Sequence, residues 1–131
     1  MPVKEIEVIL SRQLADSLSI PIFLVDPKGD LIFYNEPAEG ILGKRFEDTG
    51  PMPMKIWSTI FKIKDDDGIL IPQEDLPLVK SLTLQIPAQS SFWLESLSGE
   101  RHHISVTSLP LIGEANRFLG ALAIFWKNED S

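Results

Sequence analysis

Apolar residues recur at every fourth position near the start of the chain. They are, in order, Ile6, Leu10, Leu14 and Leu18. Because residues four apart lie on the same side of a helix, this spacing predicts an amphipathic helix of about four turns within residues 1–19. Pro21 disfavours helical backbone at Ile20, so we expect the helix to end there and a strand to begin.

The pattern then changes to runs of β-branched and aromatic residues. Residues 20–26 and 31–34 form two such runs, and a turn containing Gly29 separates them, which predicts a β-hairpin. Three more runs, rich in Ile, Val, Phe, Trp and Thr and separated by turn residues, follow at 85–97, 101–112 and 117–126. Strands joined by short turns pair antiparallel, so the chain is predicted to form a five-stranded antiparallel sheet.

Short helices are predicted between the second and third strands. Asn35 is a suitable N-cap for a helix that Gly43 ends, and residues 54–63 carry apolar positions at helical spacing. A longer helix is expected over 72–82, with two acids in its first turn, where the helix dipole favours them. The predicted fold class is α+β, with the short helices on one face of the sheet and the N-terminal amphipathic helix on the other.

The length of the chain bounds its organisation. With 131 residues it can form one core, so we expect an N-terminal helix at 1–19, one domain at 20–127 and a C-terminal tail at 128–131. No apolar run is long enough to span a membrane, and acids occur where a secretory signal would be basic and then apolar. A cytoplasmic protein with no membrane partner is expected.

Charge and cysteine content exclude several kinds of site. The chain has 12 Lys and Arg against 19 Asp and Glu, a formal charge of −7, and its basic residues are scattered, which argues against a nucleic-acid partner. It contains no cysteine, so disulfides, thiolate metal sites and cysteine nucleophiles are excluded.

The residues that could carry catalysis or bind a metal do not form a convincing pattern. His102 and His103 are neighbours on a predicted strand, so their side chains should point to opposite faces and cannot share one ion. The consecutive acids 65–67 before Gly68 fit a solvated turn better than a calcium loop. We predict no metal site and no enzymatic activity. The alternative, a small α+β hydrolase or isomerase, would depend on one of the two histidines.

Three segments carry a resemblance to a known family. Residues 20–50 contain a strand, a glycine turn, a strand, an asparagine and a short helix ending in Leu-Gly. Residues 65–82 contain the order Asp-Gly, Pro, Glu-Asp and Leu-Pro-Leu, and residues 101–127 contain two strands around a Pro-Leu and a Gly-Ala. Together they resemble a PAS sensor domain of the bacterial type over residues 20–127. The resemblance implies a five-stranded antiparallel sheet cradling short helices, and a role in signal sensing or dimerisation.

The resemblance also implies a ligand pocket between the sheet and the helices. In the family register Ile104, Val106 and Ser108 would face it from one strand and Leu122 and Ile124 from the next. Ser105, Thr107 and Leu109 on the first strand, with Ala121, Ala123 and Phe125 on the second, would then face outward. The candidate pocket residues are Trp57, Leu78, Leu82, Ile104, Val106, Leu122 and Ile124. Ordinary core packing is the competing interpretation for each of them.

Departures from the family pattern bear on cofactors and partners. The flavin branch uses a cysteine, which this chain lacks, and the haem branch places a histidine on the long helix, where residues 74–82 contain none. No cofactor is predicted: haem is disfavoured, flavin more strongly so, and a ligand would be small and apolar. A homodimer and a signalling partner are expected, and Ile6, Leu10, Leu14 and Leu18 are the candidate dimer contacts. Docking of these four residues on the sheet is the alternative, and a homodimerisation module without any ligand is the second functional hypothesis.

Overall fold

The computed structural model describes residues 20–128. Its strands are β1 Ile22–Val25, β2 Leu31–Tyr34, β3 Ile63–Lys64, β4 Ala88–Glu95, β5 Arg101–Ile112 and β6 Phe118–Lys127. Its α-helices are α1 Glu36–Leu42, α2 Phe46–Thr49, α3 Met54–Ile60 and α4 Pro77–Leu84, and a 3₁₀ turn covers Gln73–Asp75. The strands form one antiparallel sheet in the order β2-β1-β6-β5-β4-β3. The α+β class is confirmed.

Helix α1 begins and ends where the sequence predicts. The Asn35 side-chain oxygen accepts hydrogen bonds from the backbone N–H of Ala38 (3.3 Å) and of Ile22 (2.9 Å), so one residue caps α1 and holds the start of β1. Its side-chain nitrogen donates to the carbonyl of Ile20 at 2.8 Å. Gly43 ends the helix in the left-handed conformation, with φ of 84°.

The sheet has six strands rather than the predicted five. The additional strand is β3, whose Ile63 and Lys64 pair with Leu94 and Trp93 on β4. Two residues are too few to show an alternating pattern, and the acids that follow favour a turn, so the sequence gives no signal for this strand. Helix α2, a single turn, is likewise not among the predicted helices.

The long helix begins later than predicted. Residues Gln73–Asp75 form a 3₁₀ turn, and Leu76 is extended, with φ of −70° and ψ of 137°, because it precedes Pro77. Pro77 is the first residue of α4, the position that proline tolerates best. Glu74 and Asp75 therefore lie before the helix and not in its first turn.

The sheet has an inner face, which packs against the helices, and an outer face on its other side. His102, Ile104, Val106 and Ser108 of β5 are buried in alternation toward the inner face. Phe125 pairs with Val106 across the sheet and therefore shares that face.

The predicted facing of β6 is wrong. Ala121, Ala123 and Phe125 lie on the inner face, whereas Leu122 and Ile124 pack on the outer face with Ile22 and Leu24 of β1. The register explains this: Leu122 pairs with Leu109 and Ile124 with Thr107, which are the outward residues of β5. A shift of one residue moves every side chain of a strand to the other face.

Some predictions fall outside the residues described. The predicted helix at 1–19, with Ile6, Leu10, Leu14 and Leu18, lies outside them, as does 129–131 of the predicted tail. Asn128 is described and extends the pairing of β6 with β5 by one hydrogen bond, from its N–H to the carbonyl of His103 (2.8 Å). Within 20–128, no helix has both the length and the apolar character needed to cross a membrane.

Candidate functional site

A cavity of ≈ 70 Å³ lies between the inner face of the sheet and helices α3 and α4. Every side chain that lines it is apolar or aromatic. They are Phe23, Leu42, Trp57, Phe61, Ile63, Leu76, Pro77, Leu78, Phe92, Leu94, Ile104, Val106, Ala123 and Phe125. A water molecule needs roughly 10–15 Å³ of such space and drug-sized ligands occupy pockets of about 300–1,000 Å³, so this cavity has room for a molecule of a few heavy atoms.

Four of the seven candidate pocket residues line this cavity: Trp57, Leu78, Ile104 and Val106. Leu82 is buried on α4, beside Gly29 in the β1–β2 turn, and does not line the cavity. Leu122 and Ile124 are on the outer face and do not reach the cavity. That any of these residues contacts a ligand stays a prediction.

Trp57 supplies the only polar atom among the lining side chains, and that atom is already bonded. Its indole N–H donates to the backbone carbonyl of Gly29 at 2.8 Å. The ring also contacts Phe23 edge to face, with centroids 5.4 Å apart and planes at 69°. The lining side chains therefore present no free hydrogen-bond donor or acceptor to a molecule inside the cavity.

Several lining residues were not among the candidates. Phe92 and Leu94 alternate with the more exposed Ser91 and Trp93 along β4, so the period of two along that strand could have identified them. Phe23 could not be found in this way, because all four residues of β1 are buried.

His102 lies one row beyond the cavity on the inner face, beside the lining residues Ile104 and Leu94. Burial lowers the pKa of His102, and the positive charge of Lys127 lowers it further, whereas Glu100 opposes the shift. Its Nε2 has no hydrogen-bond partner within residues 20–128, and the nearest carboxylate oxygen, on Glu100, is 3.5 Å away. The ring is therefore held in its neutral form near neutral pH.

A second polar feature of the inner face joins α4 to β5. The hydroxyl oxygens of Ser81 and Ser108 are 2.7 Å apart, and both residues are fully buried. The Ser81 hydroxyl also donates a hydrogen bond of 2.8 Å to the carbonyl oxygen of Ile86. These bonds satisfy both hydroxyls, so the pair fixes the position of α4 over the sheet without offering a polar group to the cavity.

His103 lies on the outer face, as the predicted alternation requires, so the two histidines cannot act on one substrate atom or one ion. In the part of the chain that the structure describes, no three acidic or histidine side chains come together as a group that could hold a metal. The small-enzyme alternative would have to rely on a single histidine.

Comparisons with known proteins address the fold. No family model and no curated protein matches the sequence. Among solved structures, the PAS domain of a protein from Colwellia psychrerythraea is similar with a TM-score of 0.67 at 17% identity, covering 95% of this chain and 98% of that one. A PAS domain from a two-component sensor histidine kinase is similar with a TM-score of 0.61 at 11% identity, covering 95% and 98%.

A structure of the light-state dimer of the fungal blue-light photoreceptor Vivid is similar as well. Its TM-score is 0.62 at 13% identity, and the match covers 83% of this chain and 78% of that one. At these identities the likeness concerns the fold alone. The described antiparallel sheet, with short helices on its inner face, is the architecture that these domains share, and the chain therefore has the PAS fold.

Proposed function

We propose that this domain senses a signal by binding a small, uncharged, apolar molecule in the cavity under α3 and α4, and that it transmits the result to a partner protein or domain. The observation that carries the proposal is the cavity of ≈ 70 Å³, whose lining side chains are all apolar or aromatic. Removing apolar surface from water is favourable, so a small apolar molecule in contact with these walls would be stabilised there.

The chemistry of the walls selects the ligand. An ion or a strongly polar molecule would lose its hydration without gaining a partner, because the one polar atom among the lining side chains, Trp57 Nε1, is bonded to Gly29. An apolar molecule loses nothing of this kind and gains contact with the aromatic rings of Phe61, Phe92 and Phe125. The volume favours a ligand of a few atoms over a flavin or a haem.

The position of the cavity suggests how occupancy could be transmitted. Its walls come from β4, β5 and β6 as well as from α3 and α4, so a ligand would stabilise the packing of the helices on the sheet. That a similar domain belongs to a two-component sensor histidine kinase supports a signalling role. Signal transmission here would consist of a shift between an empty, looser packing and a filled, tighter one.

The first test is native mass spectrometry of the purified chain, with an absorbance spectrum of the same sample. A retained small-molecule mass without a chromophore supports the proposal. A visible chromophore would contradict the ligand chemistry proposed above, since flavin and haem both absorb in the visible range.

A purified apo protein is tested with xenon, an apolar atomic probe, by recording amide NMR spectra with and without the gas. Xenon should shift the amides of β5 and α4 around the cavity. Val106→Phe, which fills the cavity, should abolish those shifts, whereas Ile124→Phe on the outer face should retain them. Equal responses of the two variants, or no response in the parent chain, would contradict a ligand-accessible cavity.

A homodimerisation module without a ligand is the second candidate. The outer face exposes Leu109 at 39% and Trp126 at 41%, next to the apolar Leu122 and Ile124, and exposed apolar surface of this kind often marks an interface. A second copy could cover it, and the predicted apolar stripe on residues 1–19 would contribute to the contact.

Replacing Leu10 and Leu14 by Asp distinguishes a dimer contact from docking of the stripe on the same chain. Loss of a dimer that the parent chain forms, with the fold retained, would support a dimer interface; light scattering and circular dichroism measure the two properties. An unfolded monomer would support docking, and a folded dimer would contradict both.

A further inference from the structure

Asn128 ends a row of polar side chains on the outer face of the sheet. Its side-chain nitrogen lies 3.0 Å from Nδ1 of His103, and its side-chain oxygen accepts a hydrogen bond of 2.9 Å from the hydroxyl of Ser105. The Ser105 hydroxyl is also 2.9 Å from that of Ser91 on β4. The row therefore runs from β4 across β5 to the end of β6.

Each hydrogen bond in this row has a defined direction. The amide nitrogen of Asn128 can only donate, so His103 Nδ1 must accept, and the ring proton must be on Nε2. The Ser105 hydroxyl donates its one proton to Asn128, so it accepts from Ser91. The direction of the whole row thus depends on His103 being neutral.

Charged and aromatic side chains surround His103. Asp66, in the loop after β3, places a carboxylate oxygen 4.0 Å from His103 Nε2. The Trp93 ring on β4 lies 4.8 Å from the imidazole, and the Arg101 guanidinium stacks 4.9 Å from the centroid of that indole. The His103 side chain is 25% exposed, so solvent can deliver a proton to it.

We propose that protonation of His103 turns the Asn128 side-chain amide over and reverses the row of hydrogen bonds, so that the end of β6 responds to pH. A proton on Nδ1 would place two donors against each other across the 3.0 Å contact. A half-turn of the amide presents its oxygen to Nδ1–H, forming a charge-assisted hydrogen bond, and its nitrogen to Ser105. Ser105 then accepts from Asn128 and donates to Ser91.

The proposed pH response is independent of the cavity, because the whole row lies on the outer face and the cavity lies on the inner face. Its only reactant is a solvent proton, and no covalent bond of the chain is made or broken. Histidine is the side chain that ordinarily changes charge between about pH 5 and 8, and the titration described next covers that range.

The test is an NMR titration of the full ¹⁵N-labelled chain that follows the side-chain amide of Asn128 and the ring protons of His103. At high pH the amide protons should show nuclear Overhauser contacts to His103 Hε1, and at low pH these should be replaced by contacts to the β-protons of Ser105. Both changes should share the midpoint of the His103 ring. Failure of the contacts to exchange while His103 titrates, or failure of His103 to titrate, would overturn the proposal.

Three variants distinguish reversal of the row of hydrogen bonds from a through-space effect of the charge on His103. His103→Gln should abolish the response of Asn128, and His102→Gln, the matched control on the inner face, should retain it. Ser105→Ala should leave the response of Asn128 and eliminate that of the Ser91 amide. If the Ser91 amide resonance in Ser105→Ala still shifts with pH by the same amount, charge alone moves it, and the proposed reversal of the row is overturned.

Discussion

The indole N–H of Trp57 donates a 2.8 Å hydrogen bond to the backbone carbonyl of Gly29, joining α3 to the turn between β1 and β2. Gly29 is buried and has a φ of 93°, and a side chain there would meet Met54. The bond places the ring of Trp57 against Phe23 and makes it a wall of the cavity. One contact thus sets both the position of α3 and the apolar character of the site.

Trp57→Phe should destabilise the domain. It removes the donor from a buried carbonyl, which costs about 1–3 kcal/mol, and the smaller ring enlarges the cavity. Urea denaturation gives the free energy of unfolding. Trp126→Phe is the matched control, because Trp126 is 41% exposed, and should change it by less than about 0.5 kcal/mol. Equal losses in the two variants would show that the Gly29 bond contributes nothing specific.

Gly120→Ala should destabilise the sheet. Gly120 has a φ of 125°, and a Cβ there would overlap the backbone carbonyl of Val25 on the neighbouring strand β1. The added methyl group would force β1 and β6 apart or shift one of them. Urea denaturation should therefore show a free energy of unfolding lower by about 3 kcal/mol. The control is Gly40→Ala, in the exposed middle of α1 with no atom near the added methyl, which should be neutral or stabilise by up to about 1 kcal/mol. A well-tolerated Gly120→Ala would contradict the close approach of β1 and β6.

Much of the fold can be predicted because its determinants are local. The Asn35 cap and Gly43 end of α1, and the strands β4 and β5 with their alternating burial, follow from residues a few positions apart. The facing of Ile104 and Val106 came instead from the family register that the resemblance implies, and both residues lie on the inner face and line the cavity.

The facing of β6 cannot be predicted in this way. Its sequence is apolar at both alternating positions, so Leu122 and Ile124 look as suitable for the core as Ala123 and Phe125. The pairing with β1 and β5, contacts distant in sequence, decides between them. The small alanines on the inner face leave room for α4, and this requirement becomes visible only once the helix is in place.

Asn35→Ala should cost more than the loss of an ordinary helix cap. A cap is worth about 0.5–2 kcal/mol, and this substitution also leaves the buried N–H of Ile22 without its 2.9 Å partner. We expect a total loss of about 2–4 kcal/mol in the free energy of unfolding. Asn35→Asp is the informative companion, since it retains the accepting oxygen and loses the bond donated to the carbonyl of Ile20. It should lie between the parent chain and Asn35→Ala, and an Asp variant as unstable as the Ala variant would contradict this division.

The stability of the domain should fall as the pH falls below about 6.5, the ordinary pKa of histidine, because of His102. Burial, and then Lys127, lower the pKa of His102 in the folded chain. Below the unfolded-state pKa the unfolded chain therefore binds a proton that the folded chain does not, so the free energy of unfolding decreases until the pH passes the lower folded-state pKa.

Urea denaturation at a series of pH values measures this fall. His102→Leu should reduce the decrease in the free energy of unfolding between the unfolded-state and folded-state pKa of His102. The substitution removes the titrating imidazole from both the folded and the unfolded chain. His103→Gln, on the opposite face of the same strand, should keep the part of the fall that His102 causes. A pH dependence that is unchanged in His102→Leu would show that other groups control acid stability, and that the neutral state of the buried ring has no energetic consequence.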